Sequence, residues 1–161
     1  MPSKMKYTFL EGFSEHTRVW VYQSDRDFST DEISWMQQQG ALFVTEWASH
    51  GTKLKATLAV LYNRFVVLAA DQAITANSGC SIDASMRFIQ QIERQFNLSL
   101  TDRMLVSYKE GETLKYAPFT RLGELKEQGL LSEDTLVFNN LVSTLTEFEN
   151  KWETAIKDSW H

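Results

Sequence analysis

Two nearly continuous apolar runs, Lys55 to Tyr62 and Phe65 to Asp71, are separated only by Asn63-Arg64. Runs this apolar suggest central strands, since half-exposed strands alternate polar and apolar residues. A two-residue connection led by Asn fits a tight antiparallel hairpin. The rest of the chain must be read as what flanks and covers that pair.

Ahead of it, Thr17-Arg18-Val19-Trp20-Val21-Tyr22 alternates in period two with β-branched and aromatic residues, which reads as a strand. Val19 and Val21 share one face, Trp20 and Tyr22 the other. Ser29 and Glu32 then stand at capping-box spacing, with Phe28 and Ile33 placed as a hydrophobic staple. Ile33, Met36, Gly40, Phe43 or Val44, and Trp47 follow at helical spacing up to Ser49-His50-Gly51. After the hairpin, Ile82, Met86, Ile89, Ile92 or Glu93, and Phe96 give a second helical stripe, with Asn97 as its cap. Arg103 to Tyr108 reads as a strand, Thr113 to Ala117 as another, Thr120 to Gln128 as a short helix stopped by Gly129, and Thr135 to Phe138 as a strand. Leu145, Phe148, Trp152 and Ile156 form the stripe of a final helix.

The order through Tyr108 is β-α-β-β-α-β, the split arrangement of the ferredoxin-like α+β sandwich. We therefore expect one domain over 1–161, with a ferredoxin-like core at 17–108 and a C-terminal βαβα extension at 113–161 packed on it. If Val19 and Val21 meet the helices, Trp20 and Tyr22 lie on the opposite sheet face. That face is either open for a ligand or partner, or covered by C-terminal residues including Phe138, Trp152 and Trp160.

Composition narrows the functional classes. A formal net charge of −5, with no three basic residues inside any five-residue window, argues against nucleic-acid binding. No run approaches the length of a membrane-spanning helix, and the first sixteen residues lack the apolar region of a signal peptide. One cysteine in 161 residues leaves no internal disulfide framework, so a reduced, cytoplasmic setting is the expectation. His16, His50 and His161 are far apart, and no metal-ligand spacing or cofactor motif stands out.

The lone thiol is the one place where covalent chemistry could be staged. Cys80 sits in Ser78-Gly79-Cys80-Ser81-Ile82-Asp83, at a strand-to-helix junction where backbone amides and the helix dipole favour a thiolate or an anion. Gly79, Cys80 and Ser81 are thus candidates for holding a small anion. A thiol-dependent enzyme would use Cys80 as nucleophile, His50 as base and Asp71 to orient it. A phosphate loop is excluded, because no Lys lies between Gly79 and Lys109. The bland reading makes Cys80 a small half-buried residue beside a turn. Trp20 and Tyr22 are the second candidate site, for stacking or for pairing with another subunit. Asn139-Asn140 is turn-like, and could equally be a recognition loop.

Several strings together resemble a small family of uncharacterised bacterial proteins of about this length: Arg18-Val19-Trp20-Val21-Tyr22-Gln23-Ser24, Tyr62-Asn63-Arg64-Phe65, Ser78 to Asp83, Val137-Phe138-Asn139-Asn140, and Lys157 to His161. Some members are labelled ABC-transporter ATPases, a label the missing Walker motif does not support here. Pro118 to Leu141, with Leu122-x-x-Leu125 and Leu131 to Val137, resembles half of a GYF-like peptide-binding domain without its signature residues. The reading that results is a non-catalytic binding or interaction protein using the Cys80 turn or the Trp20/Tyr22 face. Its partner is a small anion or a protein, or a second copy of the chain; the thiol enzyme is the alternative.

Overall fold

The computed structural model describes residues 7–49, 55–71 and 79–159, with only the backbone described at 48–49 and 79–82. It is a mixed α+β structure. β1 (Thr17–Gln23), α1 (Thr30–Ser49), β2 (Lys55–Leu61), β3 (Phe65–Asp71) and α2 (Gly79–Phe96) come first. β4 (Leu105–Glu110), β5 (Thr113–Pro118), α3 (Leu122–Glu127), β6 (Leu136–Phe138), α4 (Leu145–Lys151) and β7 (Glu153–Ala155) follow. The strands form two antiparallel sheets, ordered β1-β3-β2 and β5-β4-β6-β7.

The apolar hairpin explains the first sheet. β3 is its middle strand, with every residue from Phe65 to Ala70 fully buried. Its register runs Thr17 against Asp71 through Gln23 against Phe65 on one side, and Lys55 against Asp71 through Leu61 against Phe65 on the other. The hairpin corner differs from the sequence expectation by one residue. Arg64 N–H donates to Leu61 O at 3.1 Å, and the corner residues are Tyr62 and Asn63, both at φ 55°. Such a corner matches the twist of the strands, and Arg64 closes it before Phe65 resumes the pairing. The Arg64 side chain is 3% exposed, paired with Asp27 and lying 3.8 Å over the Tyr116 ring.

α1 starts as the sequence requires. Ser29 Oγ accepts from Glu32 N–H at 3.1 Å, and Glu32 Oε1 accepts from Ser29 N–H at 2.8 Å. Phe28 and Ile33 both pack into the helix-side core. Arg26 grips the same carboxylate with two bonds of 2.8 and 2.7 Å. Its hydrogen bonds above all hold the Glu32 carboxyl at a pKa of about 2, against an ordinary 4.5, despite the opposing effect of burial. A depressed carboxylate contributes stability above its unfolded pKa and loses it as pH falls through the folded one. Wild-type stability should therefore drop between pH of about 4.5 and about 2, and Glu32→Gln should remove about 1–2 kcal/mol of that drop, solvent screening of the half-exposed Arg26 limiting it. Urea melts across that window would show it; parallel curves for the two proteins would refute the assignment.

The two faces of the first sheet are assigned opposite to the simplest sequence reading. Trp20 and Tyr22 face the helices, packing with Leu58, Val66 and Leu68 against Met36, Phe88, Ile89 and Ile92. Val19, Phe65, Val67 and Ala69 face the C-terminal residues Phe138, Val142, Leu145, Phe148 and Trp152. The expected C-terminal cover therefore exists, but it lies over the valine face. Trp160, also expected in that cover, is outside the described residues. The Trp20 ring sits 5.7 Å from Trp47 and is half-buried between sheet and helix.

A ferredoxin-like sheet would close by setting its fourth strand beside the first. Here β4 pairs instead with β5 and β6, so the division between sheets falls before β4 rather than after it. The C-terminal helix also stops early. α4 ends at Lys151, and Glu153 to Ala155 leave it to pair with β6. Trp152 remains buried in the first core, while Ile156, expected on the same helix stripe, belongs to the core of the second sheet. No helix among the described residues is long and apolar enough to cross a membrane.

Candidate functional site

Diverting β4 leaves one long side of β1 without a strand. The parity of its backbone follows from two bonds: Ser24 N–H donates to Arg64 O, on the β3 side, and Val19 N–H donates to Ser143 O, on the far side. In an antiparallel pair a residue's N–H and C=O point the same way and alternate along the strand. Val19, Val21 and Gln23 therefore direct their backbone groups away from β3. The chain begins to occupy that edge itself, through an Arg18–Thr144 bridge. It then turns off at Asn139 to Val142, where Val142 N–H and Leu141 N–H are satisfied by Asn139.

What remains is a cleft of about 400 Å³ along β1. Six consecutive residues, Arg18 to Gln23, line it. Alternate strand residues lie on opposite faces, so only a cleft running along the edge can touch all six. Its other walls are Ser85 and Met86 of α2, the link from Leu100 to Leu105, and the loop from Asn140 to Ser143.

Both ends of the cleft are closed. At one end is the Thr144 bridge. At the other, the buried Gln23 amide is bonded on both sides: Nε2 donates to Leu105 O at 3.1 Å, and Oε1 accepts from Ser107 Oγ at 2.9 Å and Asn140 Nδ2 at 3.1 Å. Asn140 Oδ1 in turn accepts from Trp152 Nε1 at 2.9 Å, tying the cleft floor to the core. Between the two ends, Val21 makes no hydrogen bond on the cleft side among the described residues. Leu141 is 57% exposed at the rim.

Among the described residues, the charges lining the cleft are Arg18, Arg103 and Asp102. Neither arginine is ion-paired among the described residues. Arg18 lies 5.7 Å from the Trp20 ring, and Asp102 Oδ1 accepts from Met104 N–H. Burial pushes the Tyr22 hydroxyl above its ordinary pKa, with nearby Arg103 pulling it partly back, so it stays a proton donor at neutral pH.

The sequence-derived thiol site falls mostly outside the described side chains. His50 lies outside the described residues. Gly79, Cys80 and Ser81 open α2, but their side chains are outside the description. Asp71 is described, and its carboxylate accepts from Ser14 N–H at 3.1 Å and Ser14 Oγ at 2.7 Å, capping the turn before β1. Trp20 and Tyr22 do line the cleft, at a strand margin rather than as an open sheet face. Among the described residues, no group of three or more His, Cys, Asp or Glu is placed to hold a metal ion. Sequence reading missed Arg18, Arg103 and the Val21 edge, because no motif marks a strand whose neighbour has left.

A second polar cluster is better explained as structure. Glu153, with its side chain 4% exposed, accepts from Lys109 Nζ at 2.6 Å, Tyr7 Oη at 2.6 Å and Tyr62 Oη at 2.8 Å. Burial, and after it the bond to Glu153, pushes both tyrosine hydroxyls up. Burial alone would lower Lys109, but its bonds to Glu153 and Tyr62 win and raise it. The cluster is a proton-tight knot joining the N-terminal segment, the hairpin corner, β4 and β7, and its contacts help hold Tyr62 in a backbone conformation that aromatic residues rarely adopt.

No family model, curated protein or solved structure matches the chain.

Proposed function

We propose that the protein is a non-catalytic, cytoplasmic binding protein whose ligand site is the cleft along the free edge of β1. The carrying observation is a pocket of ligand size, mostly apolar, with a few convergent polar groups. Its floor is fixed by the Gln23–Asn140–Trp152 relay, so the site is pre-formed. The first five elements are read as a ferredoxin-like half in which the position of the missing edge strand has become the site. The alternative is a thiol-dependent enzyme with Cys80 as nucleophile and His50 as base, side chains that lie outside the described residues.

A fragment screen read by amide NMR tests this. Hits should cluster on Arg18 to Gln23 and on Asn140 to Ser143, and Leu141→Trp, which fills the rim, should abolish them without lowering the melting temperature. Alkylating Cys80 should leave them unchanged. Hits scattered over the surface, or gathered in the shallower groove between Leu42 of α1 and Arg87 of α2, would sink the reading.

A further inference from the structure

Resting on that reading, we infer that the ligand is a small planar anion carrying an adjacent hydrogen-bond donor and acceptor, of the lactam or heterocyclic-amide kind. Val21 presents an N–H and a C=O to the cleft, and neither is used. A buried or half-buried backbone pair of this sort calls for a partner with the complementary pair. An added peptide strand would supply one, but the edge is too short for it. The Thr144 bridge stops pairing at Arg18, and the bonded Gln23 amide and Leu105 close the other end. Among the described residues, only the backbone groups of Val21 and Gln23 are left wholly open between those two ends, a span that a ring amide fills and a running strand overruns.

Charge and shape point the same way. Among the described residues, Arg18 and Arg103 are the cations of the lining, and its one acid, Asp102, already accepts a backbone bond. Two arginines without ion partners favour a carboxylate or phosphate, to which the guanidinium fork is suited. Trp20 and Tyr22, both half-buried, supply apolar surface along the same wall.

Three probes separate these contributions: uracil-6-carboxylate carries the ring amide and the charge, uracil only the amide, and benzoate only the ring and charge. In titrations of the full chain, uracil-6-carboxylate should bind at least about tenfold more tightly than either of the others, since a charged hydrogen bond and a satisfied backbone pair each exceed that ratio's equivalent. It should move the Val21 amide resonance, and added salt should weaken it. Arg103→Gln should bring it down to the level of uracil. Val21→Pro removes an N–H that faces away from β3, where an edge strand tolerates proline. It should weaken uracil-6-carboxylate and leave benzoate unaffected. Arg103→Gln, at an exposed side chain, keeps the test valid if the proline variant does not fold. Equal affinities for benzoate and uracil-6-carboxylate, an unmoved Val21 amide, or tighter binding of an extended acidic peptide would each overturn the ligand class while leaving the cleft as a site. If no probe shifts any cleft residue, the proposed site falls with it.

Discussion

Replacing Trp152 with alanine should destabilise the protein by about 3–5 kcal/mol, the range for truncating a fully buried aromatic. The indole is 0% exposed and lies between 4.7 and 5.6 Å from the rings of Tyr7, Phe65, Phe138 and Phe148. It also donates its N–H to Asn140, so the alanine variant both opens a cavity and frees the loop that floors the cleft. Trp152→Phe keeps most of the packing and should lose about 1–2 kcal/mol, mostly from the orphaned Asn140 carbonyl. Urea unfolding of both variants checks the pair. A loss under about 1 kcal/mol for the alanine variant would mean that the C-terminal residues do not complete the first core.

Glu153→Ala should be comparably severe, at about 3–5 kcal/mol. It removes one acceptor from three donors at once, and strands Lys109 with a side chain only 23% exposed. Lys109 can relax toward water, so the lower half of the range is expected. Glu153→Gln keeps an acceptor for the tyrosines and should cost less. The diagnostic comparison is Glu153→Leu with Lys109→Met together, which removes both charges and should recover much of the loss. If the double variant is no better than Glu153→Ala, the ion pair is not the source of the effect.

The local elements were readable from the sequence wherever a short-range rule governs them. Ser29 and Glu32 announced the start of α1, Asn97 took the left-handed cap at φ 52°, and the run from Phe65 to Ala70 announced the buried middle strand. The pairing of β4 was not readable, because either neighbour satisfies its alternating pattern equally well. The same ambiguity reversed the faces of β1. Valine and tryptophan both belong in a core, and this sheet has a core on each side. Trp152 and Ile156 hold helical spacing while Glu153 to Ala155 pair with β6, so periodicity alone carried α4 too far. The candidate site escaped for a related reason: it is made of backbone left exposed on one strand, and side-chain patterns do not report backbone vacancies.

The valine face of the first sheet has a consequence for the chain during synthesis. The β2–β3 hairpin is local and can form as soon as it emerges, and β1 and both helices precede residue 97. Apart from Tyr7 and Leu10 of the N-terminal segment, the buried residues that cover Val19, Phe65, Val67 and Ala69 come from positions 138 to 152. Until those emerge, a ribosome-bound intermediate carries a finished sheet with one apolar face only partly covered, the kind of surface that recruits chaperones or aggregates. A stop codon anywhere between β4 and β6 would make that passing state permanent.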